Sequence, residues 1–329
     1  MLIPLGDEQL RAAINLADAY EAWLPLTRAE PAYADRLQWK TVAGRQYLYR
    51  IRDRQGNGTS MGPRSPENEK IYDEYQSAKT DLRDRVARLS PALDEAAAVY
   101  RALRLPMIDS YAGRLLRELD LRELLGPVVL TVGTTATAAY QLEGACLFES
   151  PAHATRDIDL TWVAKQRPET PVLWEALKAL DDTFVVNQER SFQARNRDAR
   201  EVELLVGLER AATVACETLH PLPLPEQDWL YRGKTLRRIV CGLDARPCAL
   251  VVPDPRWFAL HKHWLADKPS RDPLKKPKDR RQAEAVWQAV RERMPHYPSG
   301  EAFELEIPAE LKSTYAALAA TAARKKWAT

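Results

Sequence analysis

The chain has 329 residues, 45% of them apolar and 29% charged, with a formal net charge of +2. That length supports two or three domains and a sizeable core, and the composition excludes a disordered chain. The near-neutral charge excludes a nucleic-acid binder that works through bulk charge, while leaving room for a local basic groove. No apolar run approaches a bilayer span, and the N-terminus lacks a basic start and a small-residue cleavage site. Cys146, Cys216, Cys241 and Cys248 sit in no zinc-knuckle spacing. The expectation is a soluble cytoplasmic protein with reduced thiols and no membrane partner.

Residues 7–29 place Leu10, Ile14, Leu16, Tyr20, Trp23 and Leu24 at helical spacing, which predicts a helix ended by Pro25 and Pro31. From Lys40 to Gly62, Tyr47, Tyr49 and Ile51 alternate with Leu48 and Arg50, and Gln55-Gly56-Asn57-Gly58 is a turn signal, so a β-hairpin is predicted. The hairpin and its flank are rich in arginine (Arg45, Arg50, Arg52, Arg54, Arg64). Two readings stand for them: contact with phosphates or an acidic partner, and a solvated amphipathic surface. Ser65-Pro66-Glu67 opens a long helix with a serine cap, proline in the first turn and acids near the positive end. Its pattern runs to about Leu103 with a break near Ser90-Pro91. A second helix, Ile108 to Leu125, carries a leucine stripe expected to pack on the next domain, and Gly126-Pro127 marks the boundary.

An apolar run, Val128 to Val132, stops at Gly133-Thr134-Thr135 before an alanine-rich segment, which predicts strand, tight turn and helix N-terminus. In Asp157-Ile158-Asp159-Leu160 the carboxylates alternate with apolar residues; in a strand they share one face while Ile158 and Leu160 enter a core. Glu203 repeats the arrangement between Val202 and Leu204. Between them lie a predicted helix (Pro171 to Leu180) and a meander of short strands ending at Glu201 to Val206. A Pro-rich passage, a hairpin of Leu236–Val240 with Pro247–Val252, and a helix from Pro253 to Ala266 follow. A basic linker containing Lys275 to Arg281 then leads to helices at Gln282–Met294 and Ala309–Trp327. The domains read as 1–125, 126–210 and 211–329.

Three carboxylates on neighbouring strands beside a glycine turn suit a magnesium ion, which takes few protein carboxylates and fills its shell with phosphate oxygens. Glu201 lies on the same strand face as Glu203 and is the alternative third acid; apolar neighbours on both sides favour Glu203. Gly133 lets backbone approach a phosphate, and the hydroxyls of Thr134 and Thr135 with the following helix N-terminus complete a cradle. His261 and His263, two apart on a helix, face different ways and disfavour a metal pair. His153 reads as a surface residue, Arg156 as structural, and the tryptophans on the C-terminal helices, Trp327 among them, as core or interface.

This ordered set, Gly133-Thr134, then Asp157-Ile158-Asp159, then Glu203, resembles the nucleotidyltransferase superfamily of the DNA polymerase β type. Within it, GTTATAAY followed by TRDIDL looks most like the bacterial predicted nucleotidyltransferases related to abortive-infection and toxin–antitoxin enzymes. The resemblance is tight over about residues 126–210 and looser over the flanks. It departs in having Thr134 where a second Gly or Ser is usual, and in a longer gap from Gly133 to Asp157, holding GACLFESPAHAT. It implies an α+β fold: a nucleotidyltransferase-type mixed-sheet core, an accessory N-terminal region of helices and a β-hairpin, and a mostly helical C-terminal region. It also implies that Asp157 and Asp159 hold Mg2+ or Mn2+, and that Glu203 deprotonates the acceptor or binds a second ion. Lys278 and Asp279 would lie near the active site, with Lys278 neutralising triphosphate; a solvated basic linker is the other reading of that segment.

The activity expected on these grounds moves a nucleoside monophosphate from an NTP to an acceptor hydroxyl on protein, RNA or a small molecule. Two rivals follow. One is a catalytically silent toxin–antitoxin or phage-defence component acting on a protein partner. The other is a tRNA- or RNA-end modifier using the Arg-rich hairpin and the 275–281 patch.

Overall fold

The computed structural model describes residues 2–149 and 157–326. His153, Arg156 and Trp327 therefore lie outside the described residues. In chain order, β1 (Leu2–Pro4) and α1 (Asp7–Ala29) precede β2 (Arg36–Val42), β3 (Arg45–Ile51), β4 (Gly58–Pro63) and α2 (Pro66–Ala102). Next come β5 (Met107–Ile108), α3 (Ser110–Leu121), β6 (Val129–Thr131), α4 (Thr137–Glu143), β7 (Cys146–Phe148) and β8 (Asp157–Trp162). They are followed by α5 (Val172–Leu180), β9 (Val185–Val186), β10 (Gln193–Arg195), β11 (Glu201–Val206) and β12 (Leu222–Pro223). The last elements are β13 (Leu236–Gly242), β14 (Pro247–Val252), α6 (Pro255–Asp267), α7 (Lys276–Arg293), α8 (Glu301–Glu306) and α9 (Ala309–Lys326). The fold is α+β with mixed sheets. No helix among the described residues is long and apolar enough to cross a membrane.

The chain divides into two compact units, Asp18–Ala96 and Met1–Ala17 with Ala97–Thr329. In the first, the predicted hairpin is a three-stranded antiparallel meander, β2-β3-β4. The turn signal at Gln55–Gly58 joins β3 to β4, and Asp53 closes it by accepting from Asn57 N–H (2.8 Å) and Asn57 Nδ2 (2.7 Å). The additional turn, between β2 and β3, was hidden because Ala43 takes the left-handed conformation (φ 47°) beside Gly44 (φ 78°). Two predicted helix breaks are absent. α1 continues through Pro25 to Ala29, and α2 runs on past Pro91. Each proline removes one helical hydrogen bond, a cost of about 3 kcal/mol or more. Burial of Leu24 and Leu26 around Pro25, and of Leu93 and Ala97 after Pro91, opposes that cost.

In the second unit the main sheet runs β6-β8-β11-β10-β9, with β12 beside β11. β6 is antiparallel to β8, and β8 is parallel to β11. Ile158, Leu160, Trp162, Val202, Leu204 and Val206 are buried, which anchors both strands by their apolar alternation. Each such side chain contributes about 1.5–3 kcal/mol when fully buried. α3 starts later and ends earlier than predicted. Asp109 caps it, accepting from Tyr111 N–H (2.9 Å) and Ala112 N–H (3.3 Å), and Leu115, Leu116 and Leu119 are buried. α7 starts at Lys276, six residues before the predicted start, so the supposed basic linker forms its first turns. Pro277 suits that first turn, where its missing N–H costs nothing.

Candidate active site

The parallel register of β8 and β11 pairs Asp157 with Glu201 and Asp159 with Glu203. Paired residues on adjacent strands share a face, about 4.8 Å apart, and residues two along are about 6.6 Å apart. Four half-buried carboxylates therefore form a block on one face of the sheet. Behind them Ile158, Leu160, Val202 and Leu204 face the core.

Beyond β6 the chain turns at Gly133 (φ 68°), and Val132 N–H donates to the Asp159 carbonyl (2.9 Å). A Cβ built on Gly133 would lie 1.9 Å from Asp159 Oδ2, so the Asp159 carboxylate occupies the space a side chain would need. Thr134 is buried, and its hydroxyl oxygen accepts from Gln282 Nε2 of α7 (3.2 Å). Its carbonyl accepts from Thr137 N–H (3.1 Å) and Thr137 Oγ1 (2.7 Å). Thr135 is half-buried, and α4 begins only at Thr137, so the predicted helix start is a four-residue turn followed by a short helix. A cavity of about 440 Å³ opens beside Thr134 and Thr135, walled by Leu105, Pro106, Phe148 and Leu243. A larger one, about 650 Å³, lies around Val163 and Arg210 beyond the other end of β8, away from the carboxylates.

Lys262, Arg271, Lys275 and Lys278 lie near enough to Asp159 to act on its charge, a basic group that sequence reasoning saw only in part. Burial raises the carboxyl of Asp159 above its ordinary range; Asp157 adds to the rise, and Lys262, Lys275 and Arg271 oppose it. Burial raises Glu203 too, reinforced by Asp159 and Asp157 and opposed by Lys275 and by Gln193. Lys278 is lowered by burial and then by Lys262, while Asp279 and Asp159 act the other way. Asp279 is itself buried and is not a substrate-facing group. It accepts from Lys262 Nζ (2.8 Å) and from Arg271 Nε (2.8 Å) and Nη2 (2.7 Å). Burial alone would raise its carboxyl, but these two cations hold it below the ordinary range. Asp279 thus fixes two of the cations near the carboxylates.

Gln193, also missed, is buried on β10 and donates from Nε2 to Glu203 Oε1 (3.1 Å) and Glu201 Oε2 (3.2 Å). Glu201 also lies 3.7 Å from Arg195 Nε, so part of its charge is answered within the sheet. That leaves Glu203 as the acid set against Asp159. His261 is buried with neither ring nitrogen hydrogen-bonded, and burial pushes it down to about 3, so it is a neutral core residue. His263 lies 3.6 Å from Asp267. Among the described residues no three or more His, Cys, Asp or Glu side chains draw together into a ready-made metal cluster.

A family model described as nucleotidyltransferase matches residues 110–306, a span that holds all of the carboxylates, the glycine turn and the basic group. No curated protein and no solved structure matches the chain.

Proposed function

The chain belongs to this nucleotidyltransferase family, and we propose that it moves a nucleoside monophosphate from an NTP to an acceptor hydroxyl. The observation that carries the reading is the acid block itself: the strand register sets Asp159 beside Glu203, and Asp159 fills the space at the Gly133 turn. Lys262, Lys275 and Lys278 lie near enough to act on Asp159. Carboxylates with cations beside them can hold a divalent ion and a polyanion together.

The donor set fits Mg2+ or Mn2+. Asp157 and Asp159 offer hard carboxylate oxygens from one strand face, Glu203 adds a third from the next, and the remaining ligands of such an ion are phosphate and water. The same need explains why no closed cluster of protein ligands is required. When bound, the ion supplies charge neutralisation at the attacking and leaving oxygens.

The chain's own groups do the rest. Gly133, lacking a side chain, leaves room at the turn for the Asp159 carboxylate, and Thr135 offers a hydroxyl at the rim. Lys275 and Lys278 offset triphosphate charge as mobile point charges. Glu203, raised by burial and held at Oε1 by Gln193, takes the proton of the acceptor hydroxyl. The acceptor oxygen then bonds to the α-phosphorus, the bond from that phosphorus to the bridging oxygen breaks, and pyrophosphate leaves with that oxygen. The test is incubation with each labelled NTP and Mg2+, using lysate fractions as acceptor source, beside the Asp157→Asn/Asp159→Asn variant. Label transfer by the wild type alone supports the reading. No transfer and no NTP binding by the wild type overturns it.

A further inference from the structure

Between Arg36 and Arg64 the sequence carries seven Lys or Arg side chains and one acid, Asp53, in a chain whose net charge is only +2. Asp53 is committed to its own turn through Asn57. Arg50 is 3.8 Å from Asp35, and Arg64 pairs with Glu69 at 2.6 Å. Among the described residues, Arg36, Arg45, Arg52 and Arg54 have no ion-pair partner. These four arginines are exposed and their charge is not neutralised by an ion pair.

The two faces of the sheet differ. On one, Leu37 and Leu48 are buried, Trp39 lies 5.9 Å from Tyr72 of α2, and Gln76 Nε2 donates to the Leu37 carbonyl (3.4 Å). On the other, cross-strand register aligns Gln38 with Tyr49, Lys40 with Tyr47 and Val42 with Arg45. Gln38, Val42 and Arg45 are exposed there, and the two tyrosines are half-exposed. Lys40 Nζ sits 5.1 Å from the centre of the Tyr49 ring. Two aromatic rings on one strand, about 6.8 Å apart and interleaved with cations, match the pitch of successive bases along an extended single strand. An anionic bilayer surface would call for an aliphatic wedge, and here Val42 stands alone. An acidic peptide has no use for two ring faces.

We propose that this face of the meander binds single-stranded nucleic acid.

The test is fluorescence anisotropy of the full chain with a labelled single-stranded RNA oligomer, its DNA counterpart, duplex DNA, polyglutamate, and phosphatidylserine vesicles. The single strands should bind tightest. With about four phosphates neutralised, raising salt from about 50 to 200 mM should weaken binding about 50-fold. Tyr47→Ala and Tyr49→Ala should each weaken it about tenfold with unchanged thermal melting, because each removes one stacking surface. Arg36→Gln/Arg45→Gln, both on this face by the strand register, should flatten the salt dependence. Equal binding of polyglutamate, vesicles or duplex, or no single-strand binding at low salt, overturns the proposal.

Discussion

Replacing Gly133 with alanine tests the most constrained contact of the site. Two costs arise together. At φ 68° an L-residue sits in the left-handed region, a penalty of about 1–2 kcal/mol. The added methyl would also meet Asp159 Oδ2 at 1.9 Å, far inside contact distance, so either the turn or the carboxylate must move by about 1 Å or more. A shift of that size at a reacting centre costs about a hundredfold in rate. From the φ penalty alone melting should drop by about 2–8 °C, at about 2–4 °C per kcal/mol for a domain of this size. Transfer measured as kcat/KM should fall about a hundredfold, with most of the loss in kcat. The strain and the clash separate in a double-mutant cycle. Asp159→Ala removes the carboxylate, so in the Gly133→Ala background it should restore part of the melting temperature, leaving the φ penalty. Gly133→Ala with activity within twofold of wild type, or a cycle with no coupling, would refute the placement of Asp159 against the turn.

Other outcomes follow from the charges. Metal-free protein should titrate Asp159 and Glu203 above the ordinary carboxylate range, because burial raises both, and added Mg2+ should bring both down; NMR titration with and without Mg2+ checks this. A carboxyl raised on folding contributes stability below its unfolded pKa, and that contribution is lost as pH rises through the folded value. Glu203→Gln should therefore raise the neutral-pH melting temperature and leave the strongly acid one unchanged or lower. Asp279 has the opposite sign: its carboxyl is depressed, so its contribution is present above the unfolded pKa and lost as pH falls through the folded one. Asp279→Ala leaves Lys262 and Arg271 without their shared partner and should cost about 3–5 kcal/mol in urea unfolding at neutral pH. The thiols of Cys241 and Cys248 are pushed up to about 12, and that of Cys146 up to about 11, by burial. A thiol reagent at pH 8 should titrate Cys216 alone in native protein and all four cysteines in denaturant.

Local pattern carried much of the site. The two-residue alternation in Asp157-Ile158-Asp159 and in Val202-Glu203-Leu204 predicts strands with acids on one face, because successive side chains in a strand must point opposite ways. Gly133 after an apolar run predicts the turn. The same kind of reasoning failed at Pro25 and Pro91, where helices persist. A proline's local cost is visible in sequence, but the burial of Leu24, Leu26, Leu93 and Ala97 that opposes it depends on distant partners.

Tertiary pairing supplied the remainder. Whether Glu201 or Glu203 stands opposite Asp159 depends on the register of two strands about forty residues apart, and a slip of one position would turn every side chain to the other face. Gln193, Lys262, Arg271 and Lys275 carry no signature of their own, since a glutamine or a lysine reads as solvated surface until its neighbours are known. The resemblance puts Asp279 near the site, but nothing in the basic run around it shows that it is buried between Lys262 and Arg271. Alternation is a property of consecutive residues and is written along the chain. The field at a carboxylate sums charges across space, and only folding sets those distances.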